Sequence, residues 1–126
     1  MPEPFIFIST AAIKEGQLEA WVKYFQVFAD HIEANEPRLL HFAMYVNEGG
    51  TEETIVQVHP DAASMVHHMG VLADHGHASS EYLDFTSSRT QVYGTLPDDL
   101  LTSIRRFGTP VTVSAPQGGF DRLPAV

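Results

Sequence analysis

Gly16-Gln-Leu-Glu-Ala-Trp-Val-Lys-Tyr-Phe-Gln-Val-Phe-Ala-Asp-His-Ile-Glu-Ala-Asn35 decides how the rest of the chain is read. Within it Leu18, Trp21, Val22, Phe25, Phe28, Ala29 and Ile32 recur at steps of three and four, which lays an apolar stripe along one side of an α-helix. Gly16 can open that helix. Pro37 closes it, because its ring blocks the next helical hydrogen bond and forces Glu36 out of the α region. The result is about five turns. Residues 4–13 and 38–46 on either side are β-rich, so the helix reads as the crossover of a strand-helix-strand unit packed on a sheet.

Working outward, residues 4–13 carry apolar side chains on both parities up to Ile8, the pattern of a strand covered on two faces. In 39–46, Leu40, Phe42, Met44 and Val46 share one face, and Leu39, His41, Ala43 and Tyr45 share the other. Asn47-Glu-Gly-Gly50 is a turn leading to a strand at 54–59, where Gln57 and His59 lie on one parity. Pro60-Asp61 opens a second helix, with Asp61 as cap for the amides of Ala63 and Ser64. Ala62, Met65, Val66, Met69 and Leu72 form its stripe, which ends near Gly76. Ser79 or Ser80 caps a short helix through Glu81, Tyr82, Leu83 and Phe85, and 89–93 is a fourth strand closed by Gly94.

The order βαββαβ is that of the ferredoxin-like split βαβ arrangement, an α+β fold with an antiparallel sheet and helices on one face. Beyond it, Pro97-Asp98-Asp99 with Leu100, Leu101, Ile104 and Phe107 predicts a helix, with acids at its positive end and Arg105 and Arg106 at its negative end. Residues 110–114 add a short strand. We read 1–126 as one domain, with a core at about 4–94 and a C-terminal extension at about 95–126.

Composition narrows the function classes. The absence of cysteine removes disulfide, thiolate-nucleophile and zinc-thiolate chemistry together. A net charge of −9 with seven scattered Lys and Arg offers no basic stripe for phosphate backbones, so nucleic acid is not an expected partner. No apolar run approaches the roughly eighteen residues of a spanning helix, and no basic segment precedes an apolar one at the N-terminus. The expectation is a cytoplasmic protein with no membrane partner.

Two residue sets carry candidate chemistry. Histidines 59, 67, 68, 75 and 77 crowd one strand end, one helix and the loop after it. Joined by Asp61 or Asp74 they could ligate a divalent metal, whereas a single pocket histidine suits proton abstraction near neutrality. The second set is His41, Tyr45, Gln57, His59, Gln91 and Tyr93, each on the polar parity of its strand, which antiparallel pairing would gather on one face as a pocket or as the middle of a barrel. Arg89 could clamp a carboxylate or oxyanion, Trp21 could stack on an aromatic ligand, and Met65 could flank a pliable pocket wall.

The order of elements, the short second hairpin, and a His-containing second helix followed by two further strands resemble the antibiotic-biosynthesis-monooxygenase-like superfamily over about residues 5–114. The resemblance implies a dimeric α+β barrel, in which two sheets pack face to face and C-terminal segments often exchange between subunits. The first strand asks for such a partner too: it is apolar on both faces, and one chain supplies helices for only one of them. The resemblance further implies a cofactor-independent monooxygenase or related proton-transfer enzyme, needing no cofactor and no metal, that acts as a homodimer on a small aromatic, quinol or enolisable substrate. On this reading His67, His68, Tyr45 and Tyr93 act as base or donors, and His41, His59, Gln57, Trp21, Met65 and Arg89 contact a small apolar or aromatic ligand. Haem-degrading members carry an Asn on the first strand, a Trp in the second helix region and a His beyond it. Here the strand has Ser9 and Thr10 and the single Trp is Trp21, so haem degradation is not expected. Two alternatives stay open: a non-catalytic small-ligand-binding or stress-related dimer, and a metal-dependent enzyme using the histidine cluster.

Overall fold

The strand with apolar residues on both parities takes the centre of the sheet. In the computed structural model, which describes residues 3–75 and 79–123 and the side chains of these except 74 and 75, β1 (Phe5–Ile13) is flanked on both sides. It leads into α1 (Leu18–Asn35), the β2 (His41–Val46) and β3 (Glu52–His59) hairpin, α2 (Ala62–His75), a 3-10 turn at Ser79–Glu81, β4 (Leu83–Tyr93), α3 (Asp98–Arg105) and β5 (Val111–Ser114). The strands form one sheet in the order β2-β3-β1-β4-β5. Its first four strands pair antiparallel in the ferredoxin-like order. β5 lies parallel to β4, an arrangement that requires a crossover, and α3 supplies it. Among the described residues no helix is long and apolar enough to cross a membrane.

Register assigns the faces. Phe7 stands opposite Gln57 on one side and Val92 on the other, and Gln57 stands opposite Phe42. That parity is covered by the helices in two buried clusters. One joins Ala11 and Ile13 to Trp21, Phe25, Phe28, Ile32 and Leu83. The other joins Phe5, Phe7 and Val92 to Met65, Leu100 and Ile104, so the extension helix α3 completes the core. The opposite parity, with Ile6, Ile8, Ala43, Val56 and Val58, belongs to neither cluster.

The stripe on α1 is narrower than its sequence suggests. Trp21, Phe25, Phe28 and Ile32 are buried, while Leu18 and Val22 are 37% and 44% exposed at its edge. Phe25 lies flat against Phe42 at 5.3 Å between centroids, which fastens α1 to β2. β3 starts earlier than expected, at Glu52, because Asn47 folds the hairpin tightly: its Oδ1 accepts from the amides of Thr51 (2.9 Å) and Glu52 (3.1 Å). β4 also starts earlier, at Leu83 rather than 89. A register shift between Thr10 and Ala12 lets Asp84 and Leu83 continue the ladder opposite Ala12 and Ile13, so Leu83 and Phe85 lie in a strand and not in a short helix. Asp61 caps α2 as expected, accepting from the Ser64 amide at 3.0 Å, and it also pairs with Arg38, whose hydrogen bond holds the carboxyl below the usual carboxylate range.

Candidate functional site

Between the sheet and the two long helices lies a cavity of about 410 Å³. The sheet contributes Phe7, Ser9, Phe42, Glu53, Ile55 and Gln57. α1 contributes Trp21, Tyr24 and Phe28, and α2 contributes His68 and Leu72. Phe85, Arg89, Phe107 and Thr109 stand around the remaining side. The lining is largely aromatic and aliphatic with a few polar groups set into it, the composition of a small-molecule site. A smaller groove of about 340 Å³, with Asp30, Glu33, Glu36 and His41 in its walls, runs along the end of α1 and the start of β2.

At one end of the cavity two buried histidines are held by neighbouring side chains. His68 is 1% exposed, and its Nδ1 lies 2.7 and 3.0 Å from the two carboxylate oxygens of Glu36. Glu36 owes its position to Pro37. Out of helical conformation at φ −132° and ψ 73°, it still donates its own amide to Ile32 at 2.9 Å while its carboxylate is buried against α2. Holding Nδ1 to a carboxylate fixes the ring, and in the neutral imidazole it places the proton on Nδ1 and the acceptor lone pair on Nε2. Beside it, His59 is fully buried, with Nδ1 2.7 Å from Ser64 Oγ and Nε2 3.0 Å from Gln57 Oε1. Gln57 Oε1 only accepts, so the His59 proton sits on Nε2 and Nδ1 accepts from the serine hydroxyl. Burial first, and then the charge of His68, bring the His59 pKa down to about 3. The imidazoles of His59 and His68 meet edge to face at 5.9 Å.

At the other end stands Glu53, 1% exposed on β3. Burial pushes its pKa up to about 7, against the smaller opposing pull of the Ala11 backbone and the Trp21 indole N–H. That indole lies near the carboxyl without making a well-formed hydrogen bond, because Trp21 Nε1 and Glu53 Oε1 are the buried side-chain polar atoms without a partner among the described residues.

Of the residues selected from sequence, the structure brings His68, Gln57, Trp21 and Arg89 to the cavity. His59 sits behind its wall, bonded to Gln57. Met65 packs in the cluster with Phe5 and Val92 rather than at the cavity. His67 is exposed, its Nε2 donating to the Asn35 carbonyl at 2.9 Å. The polar strand residues do not gather on one face. Gln57 pairs with Phe42 and not with His41, so the polar parity of β3 meets the apolar parity of β2. His41, Tyr45, Gln91 and Tyr93 therefore lie on the opposite face from Gln57 and His59, where His41 Nε2 contacts Tyr45 Oη at 3.1 Å. Two carboxylates were not selected from sequence, Glu36 and Glu53. Glu53 shares parity with Gln57 and His59, four and six residues back along β3, and that parity was its signal. Glu36, set just before Pro37, reads only as a helix end. Among the described residues no group of three or more His, Cys, Asp or Glu side chains could hold a metal ion. His77 and the side chains of Asp74 and His75 lie outside the described residues.

A four-stranded ferredoxin-like sheet under helices is the fold of the antibiotic-biosynthesis-monooxygenase-like proteins, and this chain has that fold. Among solved structures it is similar to MupZ from Pseudomonas fluorescens, at 22% identity and a TM-score of 0.73, over 100% of this chain and 99% of that one, extension included. It is also similar to a candidate antibiotic biosynthesis monooxygenase from Caulobacter crescentus (14% identity, 76% and 92% covered, TM-score 0.65) and to PA3566 from Pseudomonas aeruginosa (15%, 77% and 98%, 0.61). No family model matches the sequence, and no curated protein matches it.

Proposed function

We propose that the cavity is the active site of a cofactor-independent monooxygenase, or a related proton-transfer enzyme, for a small aromatic, quinol or enolisable substrate. The observation that carries the reading is the Glu36–His68 pair in the wall of an aromatic-lined pocket. A carboxylate that orients an imidazole and stabilises its protonated form makes the other ring nitrogen a directed base. His68 takes the acidic proton of a phenol or enol, Glu36 balances the imidazolium, and the apolar surroundings favour transfer over solvation. The electrons come from the substrate carbanion and the oxidant is molecular oxygen. A C–O bond forms to give a hydroperoxide, and loss of water converts the original CH2 to C=O.

Oxygen uptake with anthrone and with substituted hydroquinones tests this. Wild type is expected to consume oxygen with at least one of them. His68→Gln and Glu36→Gln are expected to lose about 100-fold or more in kcat/KM, the scale of a general base. No uptake across the panel, together with no solvent deuterium exchange into an enolisable ketone, defeats the reading. Full turnover in His68→Gln defeats the assignment of the base.

The second face of the sheet supports a homodimer. Ile6, Ile8, Val56 and Val58 stand in adjacent strands outside either core cluster, with Tyr45 exposed on the same face. A second copy covering this face would close an α+β barrel. Native mass spectrometry is expected to give twice the 13.9 kDa chain, and a monomer at micromolar concentration would rule the pairing out.

A further inference from the structure

The alternation of burial along the two middle strands breaks at one place. On the face toward the helices, Phe7, Ala11, Glu53 and Gln57 are at most 5% exposed, while Ser9 and Ile55, which stand opposite each other, are only partly buried. Both line the cavity, so this is where it meets the sheet. Of the hydroxyls that β1 and β4 bring to the lining, Thr10 is bonded to Thr54 at 3.1 Å, Ser88 to the Phe85 carbonyl at 2.8 Å and Thr90 to Thr109 at 3.2 Å. That of Ser9 makes no hydrogen bond among the described residues. The sealed polar atoms without a partner there are Trp21 Nε1 and Glu53 Oε1, so the Ser9 oxygen is open to the cavity.

Gln57 adds a second donor. Its Oε1 accepts the Nε2 proton of His59, whose Nδ1 accepts from Ser64. Its amide NH2 makes no hydrogen bond among the described residues and, like the Ser9 oxygen, is not sealed. Burial holds His59 neutral, at a pKa of about 3, so it carries one proton and the chain of bonds runs in one sense. Because Phe7 is directly opposite Gln57, Ser9 lies diagonally from Gln57 on the same face. Diagonal neighbours are about 7–8 Å apart, a gap that the long amide side chain and one shared oxygen bridge. His68 stands at the same end: its ring meets that of His59 at 5.9 Å and that of Phe42, which is opposite Gln57, at 5.7 Å. An amide NH2 only donates and a hydroxyl can do so, which favours an oxygen carrying negative charge over a cation.

We propose that Gln57 Nε2, aimed by the Ser64–His59 pair, and Ser9 Oγ form an oxyanion site for the phenolate or enolate oxygen created when His68 takes the substrate's proton. This rests on the reading of His68 as the base of an aromatic site. The substrate O–H bond breaks, the proton goes to His68 Nε2, and the electron pair stays on the oxygen between the two donors. Donors already in place need no reorientation at that moment, so they stabilise the charge more than water does. His59 and Ser64 do not line the cavity and act only by positioning Gln57.

Absorbance titration of 4-nitrophenol, whose phenolate is coloured, into wild type, Ser9→Ala, Gln57→Glu and Ser64→Ala tests the site, with 2-naphthol affinity at pH 6 as the measure of neutral-phenol binding. Wild type is expected to ionise the bound nitrophenol about one to two pH units below the free probe. Ser9→Ala is expected to give back about one unit, a tenfold loss of phenolate over phenol, with 2-naphthol affinity within about threefold. Gln57→Glu keeps an acceptor for His59 and replaces the free donor by an oxygen, so it is expected to give back at least as much. Ser64→Ala, remote from the probe, is expected to move the ionisation in the same direction by less, which a purely structural serine would not do. Ionisation unchanged in both Ser9→Ala and Gln57→Glu overturns the oxyanion site, as does a wild-type complex that ionises where the free probe does. Each leaves the oxygen-uptake result at His68 standing. An unchanged Ser64→Ala overturns the positioning of Gln57 through His59. If Gln57→Glu does not fold, the two serine variants, which each remove one oxygen, still decide. Failure of wild type to bind either probe overturns the site together with the aromatic-substrate reading.

Discussion

The two ends of β3 face the same buried layer and have been treated in opposite ways. At the His59 end both nitrogens of His59 are matched, by Ser64 and Gln57, and Nδ1 of His68 is matched by Glu36. At the Glu53 end a carboxyl oxygen and an indole N–H are as deeply buried and unmatched. The lesson is about what burial does to a titratable group. With partners it fixes one tautomer and one orientation, and without them it drives the group toward its neutral form. Stability experiments can break this contrast at either end.

The largest effect is expected at the matched end. Glu36→Ala leaves His68 buried beside no counter-charge, and removing one member of a buried pair costs about 3–5 kcal/mol. A urea midpoint well below that of wild type checks it. Glu36→Leu combined with His68→Leu is expected to recover more than half of the loss, because two apolar side chains then fill the space. If Glu36→Ala shifts the midpoint by less than about 1 kcal/mol, the pair is a surface-like contact and the contrast between the two ends collapses.

Glu53→Leu is expected to act in the opposite direction, and only at high pH. The folded-state pKa of Glu53 is raised from 4.5 to about 7, so between these values the folded protein holds a proton that the unfolded chain has released. Stability from this group is therefore full below pH 4.5, falls as pH rises to 7, and stays low above. The leucine variant should gain roughly 3 kcal/mol at pH 8 relative to the difference measured at pH 4. His59 has the reverse sign. Its pKa is lowered from 6.5 to about 3, so stability from it is full above 6.5 and is lost as pH falls toward 3. Between pH 4.5 and 6.5 the two slopes oppose each other in wild type. Removing Glu53 exposes the histidine slope, so Glu53→Leu is expected to lose about 1.4 kcal/mol per pH unit through that window. A variant whose stability stays flat there would show that the two groups do not titrate as an opposed pair.

How far the sequence could carry this contrast depends on which features are local. The helix at 16–35, the hairpin and the βαββαβ order are periodicities and turns within short windows, so they were legible. Asp61 as the cap of α2 was legible for the same reason. The sorting of polar strand residues into two faces was not, because it depends on register between strands: Gln57 falls opposite Phe42 instead of His41, a choice that no single strand's alternation reveals. The start of β4 was hidden in the same way, since a shift between Thr10 and Ala12 lets residues that look helical continue a ladder. His68 could be selected from sequence while its partner could not. Thirty-two positions separate Glu36 from His68, and only packing of α2 against the end of α1 joins them.

A smaller effect is expected from Gln57→Leu. It removes the acceptor at His59 Nε2 and leaves a buried N–H without a partner, at a cost of about 1–2 kcal/mol. Because Gln57 also lines the cavity, a loss of stability with unchanged 2-naphthol affinity would place its role in holding His59, whereas a loss of affinity at constant stability would place it in contact with ligand.

The smallest effect belongs to the residue next to Glu53. Glu52 and Glu53 are adjacent, so the pleat sends them to opposite faces: Glu53 is 1% exposed, while the Glu52 side chain is 42% exposed and reaches Arg89 at 3.6 Å. Two identical carboxyls one residue apart thus sit in water and out of it. An exposed pair of this length loses most of its attraction to solvent and to side-chain entropy, so Arg89→Ala is expected to change stability by less than about 0.5 kcal/mol and to leave the pH profile attributed to Glu53 unmoved. If that profile shifted in Arg89→Ala, the guanidinium at the cavity rim would be setting how strongly the Glu52 charge, the smallest of the causes acting on Glu53, adds to the effect of burial.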